Sequence, residues 1–218
     1  MKIYVVLAVL LLSGVNAVAQ EFSGKVSYEM TYEAKGEEEL GMMTMMLPKT
    51  ETLYIKGNRA KIVQESTMGK NTFIKDIDKD TTFVYLEMMG QKIQLLLSQD
   101  QIEKQFNVFK AKKIEYASGK KMIDKRICKR ALMTYDDSLP AAEVYYLPNV
   151  VNSAYPMFTG LSGLPLTFSL IQERFVFTKK ATLITAMDIA DDMFDELVGF
   201  SKKTPEELRS MFGGFGGK

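Results

Sequence analysis

Glu51-Thr-Leu-Tyr-Ile-Lys-Gly57-Asn58-Arg-Ala-Lys-Ile-Val-Gln-Glu65 is the stretch that decides the fold. Two runs of strand-forming residues flank Gly57-Asn58, a pair that tolerates positive φ and suits a tight hairpin turn. The same reading extends in both directions. Upstream, Phe22 to Glu33 alternates, with Val26, Tyr28, Met30 and Tyr32 on one face and Lys25, Ser27, Glu29, Thr31 and Glu33 on the other, which describes a half-buried strand. Downstream, Thr72 to Ile77 and Thr81 to Glu87 flank Asp78-Lys79-Asp80, and Lys92 to Leu97 follows a turn at Gly90-Gln91. Four to six antiparallel strands are therefore expected before residue 98.

Beyond that point Ser98 can cap an amphipathic helix over Gln99 to Phe109, with Ile102, Phe106 and Phe109 at helical spacing. Strands resume at Lys113 to Ala117, Arg126 to Tyr135 and Glu143 to Leu147, with turns at Ser118-Gly119 and Asp136 to Pro140. Asn149 to Gly163 is a loop rich in Gly, Ser, Asn and Pro yet dotted with apolar side chains, a composition that fits a cover over a binding face. Leu164 to Ile171, Arg174 to Thr178 and Ala181 to Ile189 read as closing strands. Thr204-Pro205-Glu206-Glu207 opens a short helix ending near Phe212, with Thr as N-cap, Pro at the first position and a Glu that completes a capping box. Nine to eleven strands with few helices and no βαβ rhythm predict a mainly β (α+β) chain. Its expected form is an open, curved antiparallel sheet or half-barrel with a few short helices on the concave side.

The 218 residues divide into three parts. Residues 1–19 form a secretory signal: Lys2 supplies the positive charge, Tyr4 to Leu12 the apolar run, and Ala17-Val18-Ala19 the small-x-small cleavage pattern. Residues 20–212 are expected to make a single domain, and the Gly-rich 213–218 a flexible tail. The apolar run is too short to span a bilayer, no later segment can do so, and no cysteine follows Ala19 to carry a lipid anchor. The mature chain is thus expected in the periplasm or secreted medium.

Composition narrows the function. Of 28 basic and 27 acidic residues, removal of Lys2 leaves 27 of each, so no bulk field attracts nucleic acid. The sequence holds no histidine and one cysteine, Cys128, which removes Ser-His-Asp and Cys-His machinery, His-bound zinc and an internal disulfide together. Cys128 reads as a small core hydrophobe. No carboxylate pair or Lys-activated nucleophile has a recognisable spacing, so a non-enzymatic protein without cofactor or bound metal is expected, acting as a monomer.

Three short motifs carry a resemblance. Ile123-Asp-Lys-Arg-Ile-Cys-Lys-Arg130 resembles the Ile-x-Gly-Tyr-x-Cys-Lys-Lys stretch of an uncharacterised family of secreted bacterial proteins, with Lys125-Arg126 in place of Gly-Tyr. Gly163-Leu164-Pro165-Leu166 looks like that family's Gly-Leu-Pro-Leu, and Phe194 to Phe200 is similar to its closing Phe-x-x-x-x-Gly-Tyr, with Phe200 in place of Tyr. Its fold is that of the LolA/LolB lipoprotein carriers, half-barrels that hold acyl chains under a helical lid. The resemblance implies a LolA-like concave cavity and assigns no chemical role to Cys128, Lys129 or Gly199.

The resulting expectation is a hydrophobic ligand, a lipid or acylated peptide, held in the concavity. Candidate lining or lid residues are Met42, Met43, Met45, Met46 and Leu47, then Met88 and Met89, then Tyr155, Met157, Phe158, Leu161 and Leu164. The methionines also read as ordinary core residues, as adaptable apolar lining, or as soft Cu(I) ligands. Asp188, Asp191, Asp192, Asp195 and Glu196 read as a solvated turn before a Ca²⁺ site, since the spacing of a calcium loop is missing. Basic residues from Lys110 to Arg130 read as a solvated sheet face before a patch for acidic partners. A second class of function is docking of another envelope protein through a sheet edge or the Met-rich loop.

Overall fold

A computed structural model describes residues 22–35, 40–41, 43–97, 100–101, 111–135, 140–171 and 174–212. The signal segment, most of the 99–109 helix, Met42 and the 213–218 tail therefore lie outside the described residues. The first six strands are β1 (Ser23–Ala34), β2 (Thr50–Lys56), β3 (Arg59–Glu65), β4 (Gly69–Asp76), β5 (Thr81–Met88) and β6 (Gln91–Leu97). They are joined as an antiparallel meander. A second meander comprises β7 (Lys113–Ile123), β8 (Arg126–Thr134), β9 (Ala142–Pro148), β10 (Gly163–Ile171) and β11 (Phe175–Ala186). Antiparallel pairing of β1 with β11 fuses the two into one open, curved sheet whose order is β12-β6-β5-β4-β3-β2-β1-β11-β10-β9-β8-β7. The twelfth strand is the two-residue β12 (Ser201–Lys202), parallel to β6. The mainly β, open antiparallel class expected from the sequence is the class observed.

Strand polarity is set by alternation. Val26, Tyr28 and Met30 of β1, Leu53 and Ile55 of β2, and Ala60 and Ile62 of β3 share the inner face and are buried. All of them except Met30 join Ala131 and Met133 of β8, Val144 of β9 and Leu166 and Phe168 of β10 in one core that also buries Cys128. Burial pushes the Cys128 thiol up, as suits an inert small hydrophobe.

Two turns differ from expectation. The strand begun at Lys113 runs through Ser118-Gly119 as an irregularity in register and turns only at Asp124-Lys125, where φ is 43° and 62°. Lys125 thus occupies, at positive φ, the position where the resembling family carries Gly, the residue with no Cβ to clash there. The β5–β6 turn likewise falls on Met89-Gly90, both at positive φ, rather than Gly90-Gln91. Arg174 to Ile189 is one strand and a strap, not two strands: β11 continues through Lys179-Lys180, with a register shift opposite Ser27/Tyr28.

After β11 the chain crosses the outer face. A 3₁₀ turn at Asp191–Phe194 and the residues on either side of it lay Ile189, Met193, Phe194, Leu197 and Phe200 on Ile74, Phe83 and Tyr85. Ion pairs from Asp191 to Lys56 and Arg59 fasten this strap. The sequence reads this segment as a solvated turn, whereas it packs on the outer face through Met193 and Phe194. The strap then pairs with the edge of β6 and delivers Leu208 of the closing helix to the inner residues Val84, Ile93 and Leu95. That helix, Pro205–Phe212, is called α2; α1 is the four-residue Met43–Met46. The capping box at α2 is closed as the sequence predicts: the Glu207 amide donates to Thr204 Oγ1 at 3.1 Å and the Thr204 amide to Glu207 Oε2 at 2.8 Å.

Candidate functional site

The inner face is not filled everywhere. A cavity of about 230 Å³ lies between the β2–β6 strands, β10–β11 and the loop residues Ala154 to Met157. Its wall is apolar over Ala60, Ile62, Phe73, Val84, Leu97, Phe168 and Phe177, because each sits in the inward register of its strand. Asn152 holds the cover in shape: its Nδ2 donates to the Tyr155 carbonyl at 2.9 Å and its Oδ1 accepts the Tyr155 amide at 3.0 Å. The 3₁₀ turn Pro156–Phe158 then drives Phe158 into the core against Phe168 at a centroid distance of 4.5 Å. Tyr155, Pro156 and Lys75 form a rib shared with a neighbouring hollow of about 430 Å³.

The cavity floor carries charge. Glu51 and Lys179 extend the inward rows of β2 and β11, their side chains are 0% and 4% exposed, and Nζ lies 2.6 Å from Oε2. The same Oε2 accepts Gln64 Nε2 at 2.8 Å, and Oε1 accepts the Tyr155 hydroxyl. Tyr28 donates to the Pro165 carbonyl at 3.1 Å. The rings of Tyr155, Tyr28 and Phe168 surround Nζ at 4.4, 5.2 and 5.8 Å. Burial holds Lys179 below the usual lysine range against the opposing pull of Glu51, while burial and the Glu51 charge push the Tyr28 and Tyr155 hydroxyls well up. Larger hollows occur, such as one of about 570 Å³ beside Phe22 and Asn149. Among the described residues, only the inner cavity contains an ion pair with both partners buried.

The predicted site residues separate. Tyr155 and Met157 line the cavity; Phe158, Leu161 and Leu164 are core residues beneath the loop. Met43, Met45, Met46 and Leu47 belong to α1 and the residue after it, away from the cavity wall, with Met45 and Met46 exposed. Met88 and Met89 sit at a hairpin tip and share a shallow hollow of about 280 Å³ with Met68. The carboxylates 188–196 do not form one cluster on the outer strap: Asp191 meets Lys56 and Arg59, and Glu196 meets Lys202 and Gln94. No group of three or more potential His, Cys, Asp or Glu ligands occurs among the described residues. Glu51, Lys179, Gln64 and Phe168 were not singled out by sequence, although the parity of Glu51-Leu53-Ile55 and of Phe177-Lys179-Ala181 carries the signal.

No protein-family model matches the chain, and no curated protein matches it in sequence. Among solved structures, PNGF-II in two crystal forms superposes with a TM-score of 0.51 at 10% and 11% identity, over 87% and 88% of this chain and 33% of PNGF-II. The chain therefore spans about a third of that protein, and the likeness is one of fold. The lipoprotein LppX of Mycobacterium tuberculosis superposes over 74% of this chain and 85% of its own at 13% identity, with a TM-score of 0.38, too low to carry an argument. No described helix is long and apolar enough to cross a membrane.

Proposed function

We propose that the protein is a non-enzymatic protein of the bacterial envelope, periplasmic or secreted, that binds a small apolar ligand or the apolar end of an acylated molecule on its concave face. The observation that carries this reading is the roughly 230 Å³ apolar cavity under Ala154 to Met157, which its own side chains leave open. Its size lies below the ~300–1,000 Å³ of drug-sized pockets, so a short chain or a ring fits and a whole diacyl lipid does not. Each buried methylene contributes about 0.8 kcal/mol, enough for useful affinity without further chemistry. Solvent extraction of the purified protein followed by mass spectrometry, together with titration of an apolar fluorescent dye, tests it. Absence of both extracted ligand and dye binding removes the proposal.

A second reading, docking of another envelope protein, draws on the exposed methionines at one end of the sheet. Met45, Met46 and Met89 are 45%, 55% and 71% exposed, although water-facing thioethers contribute nothing to the core. Crosslinking from these positions that yields one defined partner supports it. Copper(I) capture by the clustered Met42, Met43, Met45 and Met46 is checked by titration against a chromophoric chelator, and unchanged affinity after replacing the four removes it.

A further inference from the structure

An apolar pocket has no need of a buried ion pair. Burying two charges costs several kcal/mol per ion before their attraction is counted, and a hydrophobic pair of the same volume is often as stable or more so. Yet Glu51 and Lys179 stand at the cavity floor, 2.6 Å apart and withdrawn from water. Glu51 is held in place by Gln64 and Tyr155, and Lys179 by three aromatic rings. Among the described residues that line the cavity, Lys75 at the rib carries the remaining charge.

We propose that Lys179 is a nucleophile that captures a small apolar aldehyde in this cavity as a reversible imine, with Glu51 carrying the proton. This rests on the cavity accepting apolar ligands and names their reactive class. A lysine attacks only as the free amine, and removal from water favours the uncharged form. Passing one proton along the 2.6 Å contact from Nζ to Oε2 converts ammonium and carboxylate into amine and carboxylic acid within a single hydrogen bond. The amine lone pair then forms the C–N bond as the carbonyl π pair moves to oxygen. Glu51 protonates that oxygen and takes back a proton from nitrogen, giving a neutral carbinolamine. Glu51 next protonates the hydroxyl, the C–O bond breaks, water leaves, and the nitrogen lone pair closes the C=N bond. The product is an iminium paired with the Glu51 carboxylate, so aldehyde plus lysine gives iminium plus water with the site's charge unchanged and no oxidant or reductant consumed.

The charge pattern sets the selectivity. A carboxylate or an alkylamine entering the cavity gives up its hydration and finds a floor whose two charges already satisfy each other, whereas an uncharged carbonyl gives up little. A methylene occupies the ~30 Å³ that liquid water gives one molecule, so the cavity holds roughly seven carbon-sized groups. Short alkyl aldehydes and benzaldehyde-sized rings match this volume.

The test treats the whole mature protein with hexanal and cyanoborohydride near neutral pH, then maps the hexyl group by peptide mass spectrometry. Lys179 should be alkylated at hexanal concentrations that leave Lys180 unmodified, though Lys180 is exposed on the opposite face. Lys179→Met should abolish this adduct, Lys180→Met should retain it, and Glu51→Gln should slow trapping by about a hundredfold, the low side of positioned acid–base assistance. An apolar dye displaced by hexanol, which forms no imine, reports cavity binding separately. Alkylation scattered over surface lysines with Lys179 untouched, while the dye still binds, overturns the imine and leaves the cavity reading standing. Should neither dye nor hexanal bind, both readings fall; mapping on the unmutated protein keeps the outcome decisive if a variant misfolds.

Discussion

Lys179→Met is the most informative single perturbation of the fold. The substitution keeps the length and apolar stem of the side chain and deletes the cation 2.6 Å from a Glu51 carboxylate that is fully buried. Removing one partner of a buried pair costs about 3–5 kcal/mol, because the remaining charge is left uncompensated. Gln64 and Tyr155 still donate to Glu51 and soften the loss, which places the expected cost near 3 kcal/mol. With a urea m-value of about 2 kcal/mol/M, the unfolding midpoint should fall by about 1.5 M. The double variant Glu51→Gln, Lys179→Met removes both charges, keeps an amide oxygen as acceptor for the Tyr155 hydroxyl, and should recover at least half of that loss. Recovery stays incomplete because the half-buried Gln64 loses its acceptor on Oε2. Equilibrium urea unfolding of the three proteins by circular dichroism reads both numbers. A single variant that costs less than about 1 kcal/mol, or a double variant no better than the single, refutes the assignment of Glu51 and Lys179 as a mutually dependent buried pair.

Other outcomes follow from the same geometry. Burial pushes Tyr135 up to about 12 and raises Tyr28, Tyr32 and Tyr155 as well, so these four should stay protonated when exposed tyrosines ionise near 10. A folded pKa above the unfolded value means the folded state holds more protons there, so their contribution is complete below about pH 10 and is lost as pH rises beyond it; tyrosinate absorbance and unfolding midpoints measured together check this. Met157→Trp should fill the cavity and weaken apolar dye binding at least about tenfold, at about 1–3 kcal/mol of stability for overpacking; undiminished binding relocates the site. Lys125→Gly should stabilise the protein by about 0.5–1 kcal/mol, since relief at φ 62° exceeds the added freedom of the unfolded glycine. Thr204→Ala should cost about 1 kcal/mol and raise amide exchange at the start of α2, where the capping box is lost.

Much of the fold is legible because alternation and turn chemistry are local. The Gly57-Asn58 hairpin appears as written, with Gly57 at φ 55°, and the Thr204 cap appears with its reciprocal bonds. The misread turns share one cause: sequence punctuation assigns the chain reversals to Ser118-Gly119 and Gly90-Gln91, while the register of the finished sheet places them on Asp124-Lys125 and Met89-Gly90 and leaves Gly119, at φ 120°, in an irregularity within the strand. Lys179-Lys180 looked like an interruption because two lysines seldom continue a buried strand. In the sheet they do, since Lys179 finds Glu51 across 128 residues of chain.

The sequence by itself determined the alternating strands, the antiparallel meander, the closing capped helix and the absence of histidine chemistry, since each depends on neighbours a few residues apart or on composition alone. Only the tertiary structure decided that β1 joins β11 to unite the two meanders, that the acidic segment straps the outer face, and that the clustered methionines of α1 stay off the cavity wall. It also brought Glu51, Gln64, Tyr155 and Lys179 to one floor. Those meetings join residues distant in the chain, where strand register and the curvature of the sheet, rather than local propensity, select the partner.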